Sequence, residues 1–339
     1  MKAVGYQQCL DINETDSLQD IELPEPVPEA HDLLVRVKAI SVNPVDTKIR
    51  KRAAAEGDEY KVLGWDVAGV VEAVGADCEL FNVGDEVWYA GAIDRPGANA
   101  ELHCVDERIV GRKPATLDFA RAAAMPLTTI TAWEILFDRL QISRGKRHSG
   151  ESLLIIGAAG GVGSMLVQLA HRLTGATVIG TASRADTIDW VKHLGADHVI
   201  DHHKPLHEQL QAIGIDEVSH VACLTRSDLH FEKVAEFIRP FGKIAIIDDP
   251  GEVSISPFKT RSVSVHWELM YTRSLFHTDD MIEQHHLLSE TAELVDAGLL
   301  QTTFREHYGN ISAENLKKAH RMLESGKAIG KIVLEGFQA

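Results

Sequence analysis

The chain is 339 residues long, enough for two hydrophobic cores rather than one. Apolar residues make up 45% and charged residues 25%, the mix of an ordinary globular protein. The formal net charge of -16 speaks against nucleic acid and anionic membranes as partners, and no apolar stretch approaches the roughly 18 residues that span a bilayer.

Residues 1–110 read as β-rich. Met1-Lys2-Ala3-Val4 enters an apolar strand directly, without the pattern of a secretory leader. Pro24, Pro26 and Pro28 mark an extended connector. Apolar and polar side chains alternate over 33–40, the period of a half-buried strand. Arg50-Lys51-Arg52 is the densest basic cluster and reads as a solvated loop. Residues 67–74 form a further strand with Gly69 inside it, and Gly84-Asp85 turns the chain into another at 86–90. Short strands between Gly, Pro and Asp turns predict an antiparallel, barrel-like domain.

The character changes near Leu117. An Ala-rich segment over 119–125 is broken by Pro126, and 128–140 has a helical apolar pattern. Strands at 152–156, 177–180, 198–200, 220–224 and 243–247 then alternate with helices at 162–173, 185–194 and 231–238. That order implies a parallel sheet covered on both faces. Helices at 281–297 and 315–324 and a strand at 331–334 close the chain. The doubly wound unit therefore sits inside another domain, with segments 1–126, 127–272 and 273–339. Cys9, Cys78, Cys104 and Cys223 form no Cys-x-x-Cys pair, which excludes a zinc ribbon or disulfide framework and points to a reducing, cytoplasmic compartment.

The strongest local signal follows the strand at 152–156. Gly157-Ala158-Ala159-Gly160-Gly161-Val162-Gly163 leads without a gap into a helix. Read as Ala158-x-Gly160-x-x-Gly163, it is a dinucleotide-binding turn with alanine at the first glycine position. Gly160 lets backbone approach a pyrophosphate, Gly163 lets helix pack on strand, and the amides from Gly161 and Val162 onward face the phosphates. An NAD site places an acid at the end of the next strand to hold the ribose hydroxyl. Here that end reads Ala182-Ser183-Arg184. A hydroxyl and a guanidinium suit a 2′-phosphate, so the expected cofactor is NADPH.

Further segments carry a family resemblance. They are Ser41-Val42-Asn43-Pro44-Val45-Asp46-Thr47-Lys48, Gly64-Trp65-Asp66-Val67-Ala68-Gly69-Val70-Val71, Val83-Gly84-Asp85-Glu86-Val87, Pro126-Leu127-Thr128-Thr129-Ile130-Thr131-Ala132-Trp133, Leu194-Gly195-Ala196-Asp197 and Gly330-Lys331-Ile332-Val333-Leu334. With the glycine turn, they run in order along nearly the whole chain. The sequence resembles a medium-chain dehydrogenase/reductase of the quinone oxidoreductase-like branch, often labelled zinc-type alcohol dehydrogenase-like. The resemblance implies an α/β protein with a GroES-like β-barrel catalytic domain, an inserted doubly wound Rossmann domain, and a homodimer joining Rossmann sheets edge to edge. It also puts His202 at the adenosine edge, where relatives carry an aromatic. Leu224 and Lys331 complete the expected cofactor contacts.

Zinc-using relatives place a Cys where Asn43 stands, a His where Trp65 stands and a second Cys in the segment around Thr128. None of these is kept, and the stretch 89–100 lacks the relatives' cysteine lobe. Catalytic zinc needs three protein ligands, so no zinc is expected. His202-His203 and His285-His286 are adjacent pairs whose rings diverge on a strand or helix. Without a Lewis acid, alcohol oxidation is disfavoured, and quinones or α,β-unsaturated carbonyls fit better. Asn43 is expected to donate to the developing oxyanion and Asp46 to orient its neighbours or the nicotinamide ribose. Lys48 would act as an electrostatic stabiliser or proton donor, and Trp65 as a stacking wall for a flat acceptor. Asn43 and Asp46 are equally turn formers, and Trp65 equally a core residue. Aromatics over 266–273 are expected to line the ligand cleft. Two other readings stay open: an alcohol or aldehyde reductase on the same scaffold, and a non-catalytic NADPH-binding protein.

Overall fold

The structure, a computed structural model, describes residues 1–145 and 150–338. The chain forms two compact units, Met1–Ile130 with Tyr271–Ala339, and Thr131–Met270 inserted between them. Strands are numbered along the chain. The first unit begins with β1 (Lys2–Tyr6), β2 (Gln19–Glu22), β3 (Asp32–Val42), β4 (Lys61–Val62), β5 (Val67–Val74), β6 (Glu86–Tyr89), β7 (Leu102–Asp106) and β8 (Val110–Arg112). The inserted unit holds β9 (Ser152–Ile156), β10 (Thr177–Thr181), β11 (His198–Ile200), β12 (Val218–Cys223), β13 (Ile238–Ile246) and β14 (Ser264–Trp267). The first unit resumes with β15 (Phe304–His307) and β16 (Lys331–Glu335).

In the first unit β3 organises the main sheet. Leu33, Val35, Val37 and Ala39 are buried, while Arg36 and Lys38 alternate with them on the other face. One edge of β3 pairs along its length with β5; the other is shared between β7, opposite Asp32 to Arg36, and β16, opposite Ala39 to Val42. Splitting one edge between two partners bends the sheet round toward a barrel, as the turn-rich sequence predicts. At the end of β3 the helix Pro44–Arg52 begins, with Asn43 ahead of it and proline in its first turn, where its missing N–H costs nothing.

The basic cluster at 50–52 departs from expectation. It closes this helix instead of forming a loop, and Arg50 is wholly buried. Its guanidinium bonds the Leu10 carbonyl and pairs with Glu324 at 2.6 Å. A buried guanidinium is stable only when paired in this way, and the partners lie on segments far apart in sequence.

The inserted unit is a six-stranded sheet in the order β11-β10-β9-β12-β13-β14, every pair parallel. This is doubly wound topology, with the order reversing between β9 and β12. Leu153 to Ile156 are buried on both faces, as a central parallel strand requires. The helices Gly161–Leu173 and Ala185–His193 follow their strands as predicted. The helix expected over 231–238 does not form. Phe231, Val234 and Phe237 are all buried, and their spacing of three matches the 3-10 turn seen at Glu232–Glu236. Pro240 then keeps Arg239 out of helical geometry, and β13 starts at Ile238. No helix among the described residues is long and apolar enough to cross a membrane.

Candidate active site

Two sets of residues need describing separately, one in each unit. In the inserted unit, β9 ends at Ile156 and the chain turns through Gly157, whose φ of +91° is a left-handed conformation open to glycine. The Gly157 N–H is held by the Thr181 hydroxyl of β10 at 3.0 Å, a contact the sequence did not flag. A Cβ on Gly163 would lie 2.5 Å from the Gly157 carbonyl and 2.6 Å from the Ala158 Cα, so the helix can approach its strand only with glycine there. Ala158 is fully buried, and a Cβ on Gly180 would meet its methyl at 2.9 Å; the side chain packs β9's turn against β10.

Gly160 behaves differently. A Cβ there would meet only the Gly157 carbonyl, at 3.6 Å, so the fold itself does not demand glycine. Open space at that position fits a phosphate approaching backbone. The first helical bond runs from the Ser164 N–H to the Gly160 carbonyl at 2.8 Å. The amides of Gly161, Val162 and Gly163 lie ahead of it and have no carbonyl within the helix to bond, which leaves them for an anion.

The remaining expected cofactor residues of this unit share one rim. Ser183 and Arg184 follow β10, His202 follows β11 and Leu224 follows β12, all at the carboxyl ends of parallel strands. Leu224 lies beside the glycine turn, its Cβ 3.6 Å from a Cβ placed on Gly157. The Arg184 side chain is 45% exposed and its Nε stands 3.4 Å from Asp186. His202 is half-buried with Nδ1 unpartnered; burial lowers its pKa, with the charges of His203 and Arg184 acting in the same direction.

In the first unit the expected catalytic residues meet in one buried polar cluster. Asp66 is wholly buried. Its Oδ1 accepts from the Leu127 N–H at 2.9 Å. Its Oδ2 accepts from Asn43 Nδ2 at 2.9 Å, Lys331 Nζ at 2.8 Å and the Ser41 hydroxyl at 3.3 Å. Lys331 also donates to Asn43 Oδ1. Asp46 accepts from the Asn43 N–H at 2.6 Å and the Gly64 N–H at 3.1 Å. Burial pushes its carboxyl up to about 7, with Asp66 adding to the rise against two backbone donors and Lys331.

These contacts correct two expectations and decide a third between its alternatives. Asn43 was expected to donate to a substrate oxyanion, but its amide is engaged on both sides by Asp66 and Lys331. Lys331 was expected on the cofactor, but it is buried with its ammonium on Asp66 and Asn43, because Asp66 needs a countercharge inside the core. Trp65, read either as a stacking wall or as a core residue, is buried with Nε1 donating to the Ala92 carbonyl at 2.9 Å. Its ring meets Tyr271 edge-on, centroids 6.4 Å apart. Lys48 lies half-buried on the helix after Asn43. Tyr271, expected only as one of several aromatics, is the residue whose position the sequence left open: it is buried and its hydroxyl has no partner.

Zinc does not fit this donor set. Asn43 and the Trp65 indole are committed, and among the described residues no three His, Cys, Asp or Glu side chains are placed to hold a metal ion.

Comparison with known proteins places the chain in a family. Residues 29–118 match the family model for the alcohol dehydrogenase GroES-like domain, and residues 194–334 that for zinc-binding dehydrogenase. A zinc-type alcohol dehydrogenase-like protein of Staphylococcus epidermidis is 38% identical over 98% of this chain and 99% of its own length. A 2-methylene-furan-3-one reductase of Solanum lycopersicum is 30% identical over 98% of this chain and 79% of its own. Among solved structures, a Rhizobium etli CFN 42 protein named for zinc-dependent alcohol dehydrogenase is 53% identical with a TM-score of 0.96, covering 100% of this chain and 99% of that one. A quinone oxidoreductase of Pseudomonas syringae pv. Tomato DC3000 is 26% identical with a TM-score of 0.82, covering 98% and 99%. A mycobacterial protein complexed with NADPH is 25% identical with a TM-score of 0.82, covering 99% of each chain.

The two glycines of the turn separate folding from binding. Gly163→Ala is expected to lower unfolding free energy by about 2–3 kcal/mol, because backbone on the opposite side cannot yield. Gly160→Ala should keep the parental denaturation midpoint yet weaken NADPH binding by about tenfold or more, read by quenching of protein fluorescence.

Asp46 gives a pH signature. Its folded pKa of about 7 lies above the ordinary carboxylate value, so the folded state holds the proton longer. Its contribution is therefore present in full at acid pH and is lost as pH rises from about 4 to about 7. Urea unfolding across that range should show a fall of about 3 kcal/mol from this group in the parent, absent from Asp46→Asn. Parallel pH curves for the two proteins would disprove the assignment.

Proposed function

The chain belongs to the medium-chain dehydrogenase/reductase superfamily, in its quinone oxidoreductase-like branch, and on that premise we propose that this oxidoreductase carries hydride from NADPH to a quinone or an α,β-unsaturated carbonyl without zinc. The observation carrying this reading is the closed polar cluster around Asp66. The cation facing that carboxylate is the ammonium of Lys331, and the side chains beside it are an amide and an indole already in use. An alcohol needs its proton removed before hydride can leave, a task for a Lewis acid. A conjugated carbonyl needs only hydride and stabilisation of the charge that follows.

NADPH, when bound, supplies the hydride. The amides of Gly161, Val162 and Gly163 hold its diphosphate at a helix N-terminus. Arg184 holds the 2′-phosphate, since β10 ends without the acidic residue an NAD site uses. Two relatives' activities agree with this choice: one acts on a methylene-furanone, and one is a quinone oxidoreductase. The mycobacterial neighbour binds NADPH.

The free outer edge of β14 supports a homodimer. Among the described residues β14 pairs only with β13 in the sheet, and Trp267 and Leu269 are 61% and 49% exposed there. An exposed parallel edge with apolar side chains is a template for a second copy related by a two-fold axis. The Glu268 N–H bonds the Ile246 carbonyl, so by alternation the Val265 N–H faces outward. Sedimentation velocity should give a dimer for the parent and a shift to monomer for Val265→Pro; a monomeric parent would remove the proposal.

The function is tested by loss of dihydronicotinamide absorbance with menadione, cyclohexenone and an aliphatic aldehyde. Turnover is expected with the first two. Arg184→Ala should raise KM for NADPH about tenfold and leave that for NADH within about twofold. Binding of NADPH without turnover of either conjugated acceptor would overturn the reading.

A further inference from the structure

We propose that the Tyr271 phenol donates the hydrogen bond that binds the carbonyl oxygen of the hydride acceptor, an inference that rests on the reductase reading above. Tyr271 is 2% exposed, and its hydroxyl bonds nothing. The groups around it are spoken for. Trp65 faces the tyrosine ring with its edge geometry at 73°, and its indole N–H is on Ala92. Both oxygens of Asp66 and both of Asp46 already accept from other donors. Asn43 is held by Asp66 and Lys331. Among the described residues of this network, the Tyr271 hydroxyl is the group left without a hydrogen-bond partner.

An unpaired buried hydroxyl costs about 1–3 kcal/mol. Phenylalanine would fill the same ring space without that cost. A buried hydroxyl left uncommitted by the protein beside a polar cluster is a preorganised donor, and its partner must bring an acceptor.

The acceptor's chemistry supplies one. Hydride, delivered with its electron pair from NADPH as NADP+ is formed, makes a C–H bond at the β-carbon. The C=C pair shifts toward the carbonyl, and the oxygen becomes an enolate. That oxygen gains negative charge as the reaction proceeds, so a fixed O–H aimed at it binds the transition state more strongly than the substrate. Water then delivers the proton that completes the α-carbon. Burial raises the phenol pKa well above its ordinary value, and Asp46 and Asp66 add to the rise. Tyr271 therefore keeps its proton throughout and acts by hydrogen bonding. The charge on Asp66 is offset by Lys331 at 2.8 Å, which limits repulsion of the enolate.

Tyr271→Phe tests this with readouts that move in opposite directions. The thermal midpoint should stay equal to the parent or rise. NADPH affinity should be unchanged. With cyclohexenone, kcat should fall about 100-fold with little change in KM. In complexes with NADP+, which cannot reduce the ligand, the C=O stretch of bound cyclohexenone should be lowered in the parent and not in the variant. A variant kcat within about twofold of the parent, or a C=O shift that survives the substitution, would overturn the tyrosine's role while leaving the reductase reading intact. A parent that binds NADPH but turns over no conjugated carbonyl would sink both. Should the variant fold poorly, 3-fluorotyrosine at position 271 serves instead: its more acidic phenol should lower the C=O stretch further, and an unmoved stretch would overturn the proposal.

Discussion

The carboxylate of Asp66 is the constraint around which the first unit is arranged. It is wholly buried and gathers donors from the end of β3, the start of β16 and the backbone at Leu127. A lone carboxylate in such surroundings would cost several kcal/mol, and removing one partner of a buried pair typically costs about 3–5 kcal/mol. The segments that meet there are therefore coupled, although they are scattered along the sequence. Asn43 illustrates the coupling. Its side chain bridges Asp66 and Lys331 while its own N–H is taken by Asp46. A group so committed positions its neighbours and has little left to offer a ligand.

The inserted unit reaches its own order by a steric route. At Gly163 two pieces of backbone come closer than any side chain allows, and that contact aims the helix at the turn it caps. Parallel strands then place Ser183, Arg184, His202 and Leu224 at one rim, because every β-to-α connection leaves from the same end. Arg184 is half-exposed there, with the Asp186 carboxylate 3.4 Å away. This unit buries ions as well: Arg139 pairs with the buried carboxylates of Glu134 and Glu268. The close packing of glycine follows from local spacing, whereas the buried pairs Arg139–Glu268 and Lys331–Asp66 join residues far apart in sequence.

This difference explains what could be read from the sequence. Periodicity and glycine spacing are local, so β5, β9 and β11 were legible to the residue, and so was the turn between β9 and its helix. The segment at 231–238 misled because an apolar spacing of three fits either a loose α-helix or a 3-10 turn. Arg50 misled because its countercharge, Glu324, lies 274 residues away. The catalytic half suffered most from the same limit. Asn43, Asp46, Trp65 and Lys331 were each identified, but what each does depends on partners that only the fold brings near. Tyr271 had no signal of its own, since a missing hydrogen bond has no sequence pattern.

The family models that cover this chain are named for zinc and alcohol, and the residues present answer to a different electrostatic problem. A divalent ion both balances nearby carboxylates and keeps a coordination position open for a substrate oxygen. An ammonium can do the first task and does the second poorly. Two of the three hydrogens on Lys331 are directed at Asp66 and Asn43, and the side chain is only 3% exposed. Charge balance in the cluster is therefore separated from substrate polarisation. On the proposed reading, polarising the acceptor falls to a neutral donor, since the Lys331 ammonium is already committed to Asp66 and Asn43. A phenol that stays protonated meets that requirement, and it does so at modest strength. On that reading the site suits acceptors already prone to take hydride better than simple alcohols, whose proton must first be removed.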